Sequence, residues 1–146
     1  MEFHKILVPV VGSDADADTV RLACRLGRRD KAKILVVNII PIERSLPLDT
    51  ELASEVKKSE GILERAEKVA LEQGISIETD LLQARNVGPS IVDEAVERGI
   101  DLIVMGLAYK RLFGQHSLGD VIPYVLKNAS CPVILYQQSQ PERQKT

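Results

Sequence analysis

Tryptophan is absent, and only three tyrosines and two phenylalanines occur among the 146 residues. So few rings leave no material for the stacking platform on which single-stranded nucleic acid lies. Positive charge is not in excess either. Lys and Arg number 19 against 21 Asp and Glu, a formal net charge of −2, where a nucleic-acid binder carries a basic footprint. Nucleic acid is therefore not an expected partner. The two cysteines, Cys24 and Cys131, have neither CxxC spacing nor a disulfide-rich context. They read as reduced thiols that pack like small apolar side chains. No apolar run approaches the roughly 18 residues of a membrane helix, so a membrane is not an expected partner. Lys5, Ile6 to Val11 and Ala15-Asp16-Ala17 imitate a signal peptide. The apolar part is too short, contains Pro9 and is followed by three aspartates, all wrong for that reading. A cytoplasmic location is the expectation.

What is present matches an ordinary globular domain: 45% hydrophobic and 27% charged residues, close to the averages of such proteins. The length fits one domain, and a chain of this size buries about 68–70% of its unfolded surface without staples. Apolar runs alternate with amphipathic stretches throughout. Lys5 to Val11 is a short β-branched run ending at Gly12-Ser13, the mark of a strand buried on both faces. Ser13 and Asp16 have capping-box spacing for a helix that runs to about Arg29, with Val20, Ala23 and Leu26/Gly27 on one face. Lys33 to Ile40 repeats the opening KILV after 28 residues, which suggests equivalent strands in successive βα units. No third copy appears, so the chain is not a solenoid.

Pro41 to Asp49 reads as a loop. A long helix follows, about Thr50 to Gln73, with Leu52, Val56, Leu63, Ala66 and Ala70 at three-to-four spacing. Gly74 is its expected C-terminal cap. From Ile75 to Leu81 apolar and polar residues alternate, the pattern of a half-exposed strand, and its charges suit a sheet edge. A helix from about Pro89 to Arg98, a strand from Asp101 to Gly106, a long loop from Gly106 to Leu118, a helix from about Gly119 to Asn128 and a strand from Cys131 to Tyr136 complete the series. Long loops in compact domains tend to be functional. Five strands alternating with four helices imply an α/β fold with a mainly parallel sheet and helices on both faces. Ligands in such sheets bind beyond the carboxyl ends of the strands, at the switch in strand order. That directs attention to Val10 to Ser13, Asn38 to Pro41 and Gly106 to Val121.

The segments KILVPVVGS, DLIVMG and LGDVIPYVLKNASCPVILY resemble the universal stress protein family, and the resemblance runs from Lys5 to Tyr136 in the family's order and spacing. It implies a flavodoxin-like, Rossmann-like three-layer α/β sandwich, with a five-stranded parallel sheet of order 3-2-1-4-5. Residues 1–137 would form one such domain and 138–146 a polar, disordered tail. Homodimers are usual in this family. The order 3-2-1-4-5 places Val133, Ile134, Leu135 and Tyr136 at an apolar sheet edge, which a two-fold mate would cover.

Family members that bind ATP carry G-x2-G-x9-G-[ST] after the fourth strand and an aspartate at the end of the first. Glycines let backbone N–H groups approach phosphates. Residue by residue, the resemblance is half intact. Gly106 and Gly119 hold the first and third glycine positions. Tyr109 stands at the second, Asp120 at the Ser/Thr position, and Val11 at the aspartate. Pro9, Ile39, Met105 and Val121 fit the remaining positions of the family's nucleotide cleft. The resemblance thus implies a degenerate cleft with no cofactor. The alternative is an adenine nucleotide, ATP with Mg or AMP, held by a modified phosphate loop.

Bland readings compete for the other polar residues. Ser117 and Asp120 repeat the capping spacing, and a carboxylate there favours the helix dipole. Lys110, Arg111 and His116 could meet an anion but read as solvated loop residues. Asp14, Asp16 and Asp18 suggest a phosphoacceptor or metal site, but residues two apart do not share a helix face. His4 and His116 have no Cys or second His nearby. Ser13 lacks a base, and no G-x-S-x-G is present. The chain is therefore expected not to be an enzyme, and to act as a dimeric signalling module with a possible protein partner.

Overall fold

The computed structural model describes residues 1–108 and 119–139. Tyr109, Lys110, Arg111, His116 and Ser117, and the tail from residue 140 on, lie outside the described residues. The elements alternate: β1 (Lys5–Pro9), α1 (Asp16–Arg28), β2 (Lys33–Pro41), α2 (Ala53–Glu72), β3 (Glu78–Ala84), α3 (Val87–Glu97), β4 (Leu102–Leu107), α4 (Val121–Asn128) and β5 (Val133–Gln137). All strand pairs are parallel, in the order β3-β2-β1-β4-β5. The sheet is the one the resemblance implies.

The β-branched runs are the inner strands because a parallel sheet is buried on both sides. The two copies of KILV lie side by side in register: Lys5 opposite Lys33, Ile6 opposite Ile34, Leu7 opposite Leu35 and Val8 opposite Val36. Their alternate residues feed two cores. Ile6, Val8, Ile34 and Val36 pack with Val20, Ala23 and Cys24 of α1 and Ile62, Leu63, Ala66 and Ala70 of α2. Leu7, Leu35 and Val37 pack on the other face with Ile91 and Ala95 of α3 and Ile122 and Val125 of α4. Asp101 ties the amino ends together by accepting the N–H groups of His4 and Lys5 at 2.8 and 3.2 Å.

Several boundaries differ from the sequence reading. β3 is an edge strand, but it begins at Glu78 and not Ile75, because the Ile75 amide is engaged in ending α2. Ile75 N–H reaches the Ala70 carbonyl and Gly74 N–H that of Leu71, at 3.0 and 2.9 Å. This is a Schellman cap, with Gly74 at φ +72°. Ile75 and Ile77 still pack against the core, so their apolar spacing is real without their belonging to the strand. α2 starts at Ala53, and residues 42–52 form a loop held by β3. Gln83 Nε2 donates to the carbonyls of Leu48 and Thr50, and Arg85 Nη1 to that of Glu43. β1 stops at Pro9, although the Val10 N–H still reaches the Val37 carbonyl at 2.9 Å.

Candidate functional site: a cleft at the carboxyl rim of the sheet

β1 lies between β2 and β4, and the helices that follow β1 and β4 pack on opposite faces of the sheet, so the switch in strand order falls at the carboxyl ends of these two strands. There the structure forms a cavity of about 270 Å³ on the α3/α4 face. Pro9, Val11, Ile39, Met105, Gly106, Gly119, Asp120 and Val121 all line it. These are the positions singled out from sequence, except Tyr109, which lies outside the described residues. The reading missed Val37, Val87, Ile91 and Ile122, which complete the wall. Their signal was the continuous apolar run of β2 for Val37 and the apolar periodicity of α3 and α4 for the others, neither of which can be distinguished in a sequence from ordinary core packing.

The chemistry of the lining is mostly aliphatic. Among the described residues that line the cavity, Asp120 is the one ionisable side chain. It occupies the N-cap position of α4 without a side-chain capping bond. The expected role inside a capping spacing is corrected to this extent: the helix begins one residue after Asp120. A carboxylate here still meets the positive end of the helix dipole. Val11 is 64% exposed at the rim.

Both retained glycines have reasons in the fold. A Cβ on residue 106 would lie 2.0 Å from Thr19 Oγ1. Thr19 itself is buried, and its hydroxyl donates to the Ala15 carbonyl at 2.7 Å. Gly119 stands at φ +66°, a left-handed conformation that side chains resist. Neither glycine needs a phosphate to explain it.

The first turn after β1 is also internally engaged. Asp16, expected to complete a capping box with Ser13, reaches further back. Its carboxylate accepts the Val11 N–H at 3.2 Å and the Gly12 N–H at 2.7 Å. Ser13 Oγ accepts from the Ala15 N–H at 3.3 Å. Burial pushes the Asp16 carboxyl above its ordinary range, opposed by the amides of Val11, Gly12 and Ser13. Asp18 turns elsewhere, pairing with Arg21 at 2.9 Å and accepting from the Tyr136 hydroxyl at 3.3 Å, while Asp14 is exposed. The three acids do not converge. Among the described residues, no group of three His, Cys, Asp or Glu side chains could hold a metal ion.

Burial pushes both thiols up, with Cys24 in the α1/α2 core and Cys131 beside the α3/α4 core. No helix among the described residues is long and apolar enough to cross a membrane.

Comparison with known proteins agrees with this architecture. The model of the universal stress protein family matches residues 2–137. A universal stress protein of Methanocaldococcus jannaschii is 31% identical over 96% of this chain and 85% of its own length. A solved universal stress protein structure from Archaeoglobus fulgidus superposes with a TM-score of 0.75 at 27% identity, covering 90% of this chain and 97% of that one. A second structure from the same organism, in complex with dAMP, gives 0.73 at 24% identity, over 92% and 98%. The match extends from before β1 to the end of β5, over the nine elements of the described residues and the rim that carries the cleft. The chain belongs to the universal stress protein family.

Proposed function

We propose that this chain is a dimeric, non-enzymatic stress-response module of the cytoplasm whose cleft does not hold MgATP. The observation that carries the reading is Asp120, which sets a carboxylate in the cleft wall at the position where the family's binders offer a hydroxyl. At 4 Å each like-charge pair with a phosphate opposes binding by roughly 1 kcal/mol in water and several times that where shielded. Val11 removes the nucleoside acceptor, a loss of about 1 kcal/mol. The amides of Val11 and Gly12 are already taken by Asp16, so the turn after β1 does not offer them to an anion. Tyr109 adds a side chain at the second glycine position.

The alternative is an adenine-nucleotide binder with a modified phosphate loop. It draws support from the dAMP complex of the Archaeoglobus fulgidus structure and from the intact apolar positions Pro9, Ile39, Met105 and Val121 in the cavity wall. Calorimetric titration with ATP and Mg²⁺ separates the two. No binding in the micromolar range is expected, and the triple reversion Val11→Asp, Tyr109→Gly, Asp120→Ser should create it. Micromolar affinity in the unmodified chain, or ATP carried through purification, overturns the proposal.

A further inference from the structure

The amino rim of the sheet, at the far end from the cleft, carries charges that the fold leaves unused. Lys5 and Lys33 open the two copies of KILV and stand opposite each other in register. Strand alternation puts both side chains on the face of Leu7 and Leu35, toward α3 and α4. Like charges at neighbouring positions on one sheet face are destabilising. Together with Glu78 of β3 the two lysines line an open cavity of about 320 Å³, whose apolar wall includes Leu35 and Ile100. Arg98 borders it from the end of α3, but its guanidinium is already engaged, with Glu94 at 3.0 Å and Asp80 at 3.2 Å. Lys5 Nζ donates to the Arg98 carbonyl at 3.4 Å. Among the described residues neither lysine forms an ion pair with a carboxylate, and neither Glu78 nor Glu97, also in the wall, forms one with a cation.

We propose that this cavity binds a small aliphatic amino acid whose carboxylate and ammonium stand at opposite ends of its chain. The strand order sets the polarity. Lys5 on β1 and Lys33 on β2 gather positive charge on one side, and Glu78 on β3 supplies a negative end two strand spacings, about 10 Å, from β1. A carboxylate between the lysines relieves their repulsion, a methylene chain covers Leu35 and Ile100, and an ammonium meets Glu78. A simple anion such as phosphate would gain the lysines but face Glu78 and Glu97 as like charges. The backbone beneath the lysines is pinned, which lowers the cost of ordering on binding. Lys33 N–H donates to the His4 carbonyl and Asp101 N–H to the Lys5 carbonyl, both at 2.9 Å. The site is separate from the carboxyl-rim cleft and stands whether or not that cleft takes a nucleotide.

The test uses δ-aminovalerate as probe, titrated at low ionic strength into the isotope-labelled full chain and followed by amide NMR shifts. Saturable millimolar binding is expected, with shifts at Lys33, Leu35 and Glu78 and none at Val11 or Gly12 of the opposite rim. Valerate, which lacks the ammonium, and pentylamine, which lacks the carboxylate, should each bind about three- to fivefold more weakly. Lys33→Gln and Glu78→Gln should each weaken δ-aminovalerate by a similar factor, about that of a partly exposed ion pair. Free Lys33→Gln should melt no lower than the native chain, because it removes a like-charge neighbour of Lys5. Absence of saturable shifts at the amino rim overturns the proposal, as does equal affinity for the two variants and the native chain. Valerate binding as tightly as δ-aminovalerate overturns it by showing a plain anion site. A marked fall in the melting temperature of free Lys33→Gln overturns it too, by showing that the lysine serves the fold.

Discussion

Thr19 decides what residue 106 can be. Its hydroxyl is locked onto the Ala15 carbonyl and sits where a Cβ at residue 106 would have to go. Gly106→Ala is therefore expected to destabilise the fold by about 1–3 kcal/mol, the usual range for overpacking, measured by denaturant unfolding with no nucleotide present. Thr19→Ala in the same chain should recover a large part of that loss, giving a favourable coupling in the double-mutant cycle. If Gly106→Ala leaves stability unchanged, its retention has to be explained by a ligand after all.

Asp16 makes a second prediction, through its titration. Its folded pKa is raised, burial outweighing the amide bonds, so the unfolded chain releases this proton at lower pH than the folded one. Stability from this group is greatest in acid and declines as pH climbs from the ordinary carboxylate range through the raised one. Asp16→Asn carries no such titration. The stability advantage of the native chain over Asp16→Asn should therefore shrink between about pH 4 and pH 7, as read from urea midpoints. A constant difference would show that the Asp16 environment does not disfavour its charge.

At the scale of elements, three helices end in one backbone pattern with different residues at its left-handed position. Gly74 follows α2 at φ +72° and Gly99 follows α3 at φ +63°, but Lys31 follows α1 at φ +51°. All three ends place the next amide on a carbonyl five residues back: Ile75 on Ala70, Ile100 on Ala95, Ala32 on Gly27. A left-handed residue with a Cβ costs roughly 1–2 kcal/mol, partly offset by the greater unfolded freedom of glycine. Lys31→Gly should thus raise stability by about 0.5–1 kcal/mol, and Gly74→Ala should lower it by about 1–2 kcal/mol, both readable as shifts in thermal midpoint.

The same elements show what a sequence discloses. Strands β1, β2 and β4 were legible because apolar residues continuous on both faces have few alternatives, and the cap at Gly74 because glycine there has a mechanism. The start of β3 was not legible. Ile75 and Ile77 continue its alternation yet serve the α2 cap and the core, a tertiary use that periodicity cannot separate from a strand. The cap at Lys31 left no signal, since lysine is an ordinary last-turn residue. At the site, the residues legible through the family pattern do line one cavity, but the partner of Gly106 and the reach of Asp16 depend on packing that spacing does not encode.

On the scale of the whole molecule, β5 forms one edge of the sheet, with no further strand beside it among the described residues. The sheet ends there, and Val133 to Tyr136 are all partly exposed. Val133 and Leu135 pack toward the α3/α4 core and Ile134 toward the α1/α2 core, so the strand is apolar on both faces at an edge that carries no charge to discourage pairing. The inward bonds run from even positions: the Pro132 carbonyl accepts the Ile103 N–H, and the Gln138 N–H reaches the Leu107 carbonyl. Parallel-strand geometry then turns the peptide groups of Val133 and Leu135 outward, where an antiparallel two-fold mate could take them up. Leu126 is a further exposed apolar residue, on the helix that leads into β5. It is 51% exposed and stands on the flank of α4 opposite Tyr124, the residue that packs on Gly88 of α3. The proposed β5 dimer therefore has a test that spares the core. Leu126→Lys should leave thermal stability of the dilute protein nearly unchanged. It should also weaken association about tenfold or more, corresponding to the ~1.5 kcal/mol of a lost buried leucine, as measured by sedimentation equilibrium. A native chain that sediments as a monomer at high micromolar concentration would remove the dimer, and with it this account of why an edge strand of a parallel sheet can be Val-Ile-Leu-Tyr.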